Sequence, residues 1–396
     1  MDKPSKILRS GFTILGMGFL FCFGLFLLIE LFFQINSLFH WIRPVFPEAP
    51  YVKESKELTE KRKSETDLSF LKTHPDFIPP GMEWQQDEEL DQSDRWPEPT
   101  WSAEGEFMPK GKFRSIVRLK RNSKEIYNIQ YEFDRFHRRV VPGQSTETKK
   151  RSVLVFGNSL ALGEGVQDDE TLPAQLAKHL PSYQIYNLGG TGYTPNHILK
   201  NLQNKNFPRH QGINEPTGIS VLLFTDQDIN RVIGRFSEIR ANRWRALAPC
   251  FELESGKLLD KGNFWTGKPL TTLFFTVLGF SEFFKFLNLD YPGKITDAHL
   301  ALYSAIVAEI KTQVKIQFAS KELFILFYPG KSQKHGYRLR PLLEKEGLKI
   351  LDYSKVDLWA IKGSNPNMAI DRHPGAGTYW IISELLAKDI VREATY

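Results

Sequence analysis

From residue 152 onward, short apolar runs alternate with helical stretches, and this alternation restricts the fold more than any other feature of the chain. SVLVF (152–156), YQIYN (183–187), ISVLLF (219–224), LFILFY (323–328) and LKIL (348–351) are strand-length and mostly apolar. Runs of this kind fit strands covered on both faces, as in a parallel sheet. Between them, Thr194-Pro195 reads as a helix N-cap followed by proline at the first helical position. Leu300, Tyr303, Val307, Ile310 and Val314 recur at spacings of three and four, which makes one helical stripe. A last helix is expected over about 375–393. The pattern predicts an α/β domain over 152–396, with helices on both faces of a parallel sheet.

An insert at about 240–292 interrupts the alternation. CFELESGKLLDKGNF reads as a hairpin turning at Ser255-Gly256. LTTLFFTVLGFSEFFKFLNL (270–289) is strongly apolar yet carries Glu282 and Lys285. Those charges and Gly279 weigh against a membrane span, leaving a cap, a buried helix or an interfacial helix as its readings.

Residues 10–33, SGFTILGMGFLFCFGLFLLIELFF, carry a single charge, Glu30. As a helix this run would extend about 36 Å, enough for a hydrocarbon core of about 30 Å. Lys3, Lys6 and Arg9 precede it, which favours a cytoplasmic N-terminus. The run is long for a signal-peptide core, and no small-x-small cleavage site follows it. The expectation is a cytoplasmic tail (1–9), a single transmembrane helix (10–36), a proline- and charge-rich spacer (37–110) and a basic, strand-rich lead-in (111–151). The domain at 152–396 would then lie outside the cytoplasm. EIYNIQYEF (125–133) alternates like a strand within the lead-in. The basic charge there suits either an anionic surface or solvated faces near a membrane, and no nucleic-acid module is recognisable.

Two cysteines, Cys22 and Cys250, form no disulfide framework, and the nine histidines show no metal-ligand spacing. No metal or cofactor is expected.

Chemistry concentrates in three places. Gly157-Asn158-Ser159 follows the first strand of the alternation, at the sheet's carboxyl edge, where open α/β sheets bind ligands. The stretch has no P-loop lysine and does not match GxSxG. Ser159 is therefore a helix cap or a nucleophile, and a serine nucleophile needs a base. Asp371 and His373 are two residues apart near the C-terminus, so in an extended segment they point the same way. Asp371 could then orient the imidazole. The glycine turn in YNLGGTGYTPNH (186–197) follows the second strand and would present N–H groups for an oxyanion.

Together these blocks resemble the SGNH hydrolases, the GDSL esterase/lipase family, over roughly 150–396. The first block is Gly157-Asn158-Ser159-Leu160 with Gly163 and Gly165, the second runs from Asn187 through Gly192-Tyr193, and the last is Asp371-Arg372-His373-Pro374. The lead-in is similar to that of membrane-anchored bacterial members. The resemblance implies a three-layer α/β/α, flavodoxin-like fold. It implies Ser159 as nucleophile, His373 as base, Asp371 as its orienter, and the Ser159 and Gly192 N–H groups as oxyanion donors. Two positions depart from the family's pattern. Asn158 stands where Asp is usual. FTDQDINR stands where GxND belongs, which puts Gln227 at the oxyanion-hole position of the family's Asn. The activity expected is hydrolysis of an ester, with O-acylated cell-surface glycans as the favoured substrates. An O-acyltransferase on the same fold and a non-catalytic binding or scaffold protein are the alternatives.

Overall fold

The computed structural model describes residues 24–34, 111–118, 125–144, 149 and 151–394, apart from 206, 208–211, 214–217, 242, 288, 333 and 365–372. The expected tail (1–9), the spacer (37–110), residues 10–23 and 35–36 of the expected anchor, and Asp371 lie outside the described residues.

β1 (Gly111–Arg118) and β2 (Glu125–Phe133) pair antiparallel. β3 (Arg151–Gly157) leads into α1 (Ser159–Leu162), then α2 (Leu172–His179), β4 (Tyr183–Gly189), α3 (Pro195–Gln203), β5 (Ile219–Phe224) and α4 (Asp226–Ile233). The insert holds α5 (Phe236–Ala241), the hairpin β6 (Pro249–Glu254) and β7 (Lys257–Asn263), α6 (Phe264–Gly267), α7 (Pro269–Leu278) and α8 (Glu282–Phe286). α9 (Asp297–Phe318), β8 (Glu322–Phe327), α10 (Gly336–Lys345), β9 (Lys349–Asp352) and α11 (Ala376–Ala394) follow.

The main sheet has the order β4-β3-β5-β8-β9, and every pair is parallel. Numbered within the sheet alone, that order is 2-1-3-4-5, the flavodoxin-like arrangement. It reverses between β3 and β5, and the carboxyl ends of those two strands flank the crevice where such sheets bind ligands. Successive strand residues point to opposite faces, so each apolar run feeds two cores. Leu154, Phe156, Leu222, Phe224, Ile325 and Phe327 pack with α3, α9 and α10. Val153, Val155, Val221, Leu223, Phe324 and Leu326 pack with α2 and α11. Each such side chain contributes about 1.5–3 kcal/mol by leaving water, which is why these runs sit at the centre.

The hairpin turn falls at Ser255-Gly256, both at positive φ (50° and 78°). Two positive φ values are what a tight hairpin turn of the I′ type demands. The apolar stretch 270–289 is two helices: α7 ends at Leu278, and α8 begins at Glu282. Among the described residues no helix is long and apolar enough to cross a membrane. The described part of the expected anchor is the helix at 24–34.

Candidate active site

β3 delivers its carboxyl end to Gly157, and Asn158 caps the short helix that Ser159 opens. Ser159 N–H is thereby one of the helix-start donors that have no partner inside the helix. Asn158 does two jobs at once. Its Oδ1 accepts from Leu160 N at 2.9 Å, and its Nδ2 donates to Asp228 Oδ1 at 3.0 Å. The other Asp228 oxygen accepts from Thr225 N and Thr225 Oγ1 at 2.8 and 3.0 Å. Asp228 is buried, and burial pushes its carboxyl above the ordinary value against the opposing pull of Arg231, Asn158 and Thr225. An Asp at 158 would set a second carboxylate against Asp228. The amide at 158 suits a buried carboxylate at 228.

α1 ends at Gly163, with φ +84°, where an added Cβ would lie 2.4 Å from Thr171 Cγ2. The loop beyond it is held from the lead-in. Arg139, 1% exposed, donates to the carbonyls of Leu162, Gly163 and Val166, and its Nε meets Asp168 Oδ1 at 2.7 Å. Burial raises the Asp168 carboxyl's pKa, and Arg139 opposes that rise. The Arg139 guanidinium also lies over the Tyr131 ring, and Tyr131 Oη accepts from Gly165 N at 2.8 Å.

His373 lies 214 residues from Ser159 in sequence, yet its Nε2 is 2.7 Å from Ser159 Oγ. It stands three residues before α11, whose Tyr379, Ile382, Leu386 and Ile390 pack in the core shared with α2. That packing fixes the helix that presents the imidazole. Asp371 is outside the described residues.

The glycine turn after β4 lies against the Ser159 turn. Gly190 N donates to Gly157 O at 3.1 Å, Asn187 Nδ2 donates to Leu162 O at 3.2 Å, and Thr191 Oγ1 donates to Glu164 Oε2 at 3.2 Å. Gly192 has φ +71°, and a Cβ there would meet the Trp244 ring at 2.5 Å. Only glycine fits that close approach of an insert residue to the turn.

Gln227 is exposed, and its Nε2 donates to Glu238 Oε1 at 3.2 Å. Glu238 Oε2 also lies 3.4 Å from Arg231 Nε and 3.5 Å from Arg245 Nε. Arg245 is buried with its guanidinium over Trp244, and burial lowers its pKa to about 10. Its Nε has no hydrogen-bond partner among the described residues. Beside this cluster His197 is also buried. Its Nδ1 accepts from Thr194 N, its ring stacks on Tyr193, and its Nε2 has no partner among the described residues. Burial, with the charges of Arg245 and Arg231, holds its pKa down at about 3. His197 is therefore neutral near pH 7, with its proton on Nε2.

Ser159, His373 and the turn carrying Gly192 thus converge. Gln227 instead joins the Glu238 cluster. Sequence reasoning missed the Asn158–Asp228 pair, Arg139, Arg245 and His197. Only His197 had a signal: it sits three residues after the cap Thr194, a slot whose side chain reaches back to the cap. Among the described residues no group of His, Cys, Asp and Glu could hold a metal ion.

No family model matches this chain, and no curated protein does. Solved structures do. One is a carbohydrate esterase family 2 enzyme from Corynascus thermopiles (Myceliophthora fergusii), at 12% identity and TM-score 0.36, covering 65% of this chain and 70% of that one. An acetyl xylan esterase from Butyrivibrio proteoclasticus is 9% identical with TM-score 0.37, covering 64% and 66%. A member of the lipolytic G-D-S-L family from Veillonella parvula is 11% identical with TM-score 0.36, covering 61% and 99%. At such scores the likeness carries no chemical argument, which has to come from the side chains.

Proposed function

We propose that this chain is an SGNH-type serine esterase, anchored by residues 10–36 with its domain outside the cytoplasm. The single observation that carries the reading is the 2.7 Å contact between Ser159 Oγ and His373 Nε2 at the carboxyl edge beside the sheet's switch point. His373 Nε2 takes the hydroxyl proton as Ser159 Oγ attacks the ester carbonyl. The N–H groups of Ser159 and Gly192 receive the oxyanion, and Asp371 orients the imidazole. Collapse breaks the bond to the alkoxy oxygen, which leaves as an alcohol with the proton from His373. Water then attacks the acyl-serine. It gives a proton to His373, which returns it to Ser159 as the acid departs. An acylated, foremost acetylated, cell-surface glycan is the ester that a tethered enzyme outside the cytoplasm meets.

A fluorophosphonate probe tests the reading directly. Wild type should be labelled, and Ser159→Ala should not. Equal labelling of the two, or none of either, would overturn the nucleophile assignment.

A further inference from the structure

α7 is apolar on both sides. Its inner side packs on the insert, with Phe275 5.2 Å from Phe236 of α5 and Thr272 Oγ1 donating to Phe264 O. Its outer side presents Leu270, Leu273, Phe274 and Val277, which are 81, 51, 59 and 58% exposed. Their spacings of three, one and three residues make one stripe. A helix that is apolar all round is normally buried or in lipid, and a contiguous exposed apolar patch marks a docking surface.

A second observation names the occupant. The helix at 24–34 belongs to the apolar run 10–33 and is packed against the segment after α7. Phe33 lies 5.4 Å from Phe283 and 4.5 Å from Phe286, and Phe26 lies 6.5 Å from Phe283. Glu30, the one charge in the run, accepts from Ser281 Oγ, Glu282 N and Phe283 N. A carboxylate at the edge of the hydrocarbon is costly unless donors meet it, and the insert supplies three. The other side of the 24–34 helix exposes Leu25, Leu27, Leu28, Leu31 and Phe32. With the N-terminus in the cytoplasm, Glu30 marks the outer end of the run.

We propose that the outer stripe of α7 and the exposed side of the 24–34 helix form one lipid-docking surface, with α7 lying in the outer interface of the bilayer. At ten residues α7 is about 15 Å long, too short to span, so it lies in the plane of the interface. The insert also touches the candidate site: Trp244 meets the turn at Gly192, and Glu238 of α5 binds Gln227. Docking therefore holds the carboxyl edge of the sheet close to the bilayer. The substrates it favours are esters at headgroup height, such as an acylated glycan on a lipid carrier. This inference rests on the anchor in the reading above.

The test is spin-label depth measurement on the full chain in phosphatidylethanolamine/phosphatidylglycerol nanodiscs. Labels enter at Leu273→Cys, Phe274→Cys and Val277→Cys, one at a time, in a Cys22→Ala background. Buried Cys250, its thiol pushed up to about 11 by burial, stays unlabelled. Ile316→Cys, exposed near the end of α9, is the aqueous control, and Leu28→Cys reports on the anchor itself. All three α7 labels should collide more with oxygen and less with an aqueous nickel complex than the label at 316 does. Aqueous behaviour at 273, 274 and 277 overturns the docking. So does shielding from both reagents, which would mean a protein partner or a second copy. Lipid depth at 28 with water at α7 sinks the docking alone, whereas water at both sinks the anchor as well.

Discussion

Two sets of buried polar groups around the Ser159 turn are built on opposite terms. On one side Asn158, Asp228 and Thr225 saturate one another, and Arg139 spends its donors on Asp168 and three carbonyls. On the other side, His197 Nε2 is buried with no hydrogen-bond partner among the described residues, and Arg245 Nε has only a loose ion pair, 3.5 Å from Glu238 Oε2. A buried donor without an acceptor costs free energy that a native fold rarely leaves uncompensated. The first set is scaffold. The second keeps donor capacity unused. Variants on the saturated side should lose stability, and those on the other side should lose function.

Arg139→Met sharpens the contrast most. It leaves Asp168 and three carbonyls without their cation, and breaking a buried pair in this way costs about 3–5 kcal/mol. The denaturant midpoint should fall accordingly, and an unchanged midpoint would mean that the first set is not scaffold. Arg245→Met keeps volume and removes the donors beside Gly192. One charge-assisted hydrogen bond to a bound ester, worth about 1.5–3 kcal/mol, corresponds to a loss of roughly 10- to 150-fold in kcat/KM. Tm should move less than for Arg139→Met, and a stability loss without a kinetic one would erase the distinction.

The effect of His197 is confined to acid pH. Its folded pKa of about 3 lies below the ordinary 6.5, so folding favours the neutral ring. The unfolded chain takes up that proton first as pH falls. Its contribution is therefore complete above pH 6.5 and is lost as pH drops toward 3, at about 1.4 kcal/mol per pH unit for one proton. His197→Gln should flatten the acid limb of a stability–pH curve, and a parallel curve would show that the ring is not buried neutral. The smallest effect belongs to Gln227→Ala. Because its amide is held by Glu238, kcat on an ester that wild type turns over should fall less than about threefold, whereas losing a true oxyanion donor costs about 100-fold or more. A loss on that larger scale would return Gln227 to the oxyanion hole.

Much of the sheet was legible because strand burial is written in consecutive residues: ISVLLF is β5, buried at all six positions. The approach of Ser159 to His373 was legible because short blocks of fixed spacing carry both. What escaped depended on rotation and on distant partners. Gln227 and Asp228 are neighbours, but a helix turns about 100° per residue. That turn puts Gln227 outward and Asp228 inward, onto Asn158. Arg138 and Arg139 read alike in FHRRVVP. The first pairs with nearby Asp134, and the second is drawn in where Arg139 bridges Phe133. Nothing local separates α7's outer face from a core face, since both are Leu, Phe and Val.

The Arg139 and Tyr131 contacts have a consequence for inheritance. The alternating pattern starts at residue 152, where a gene fusion or an expression boundary would naturally be drawn. A piece cut there would keep Ser159 and His373, but the loop from Leu162 to Asp168 would lose the guanidinium and the phenol that hold it. The portable unit therefore begins no later than about 129, where β2's buried side chains pack beneath Leu162 and Tyr193. Any recombination that moves this site to a new chain has to carry the strand in front of it.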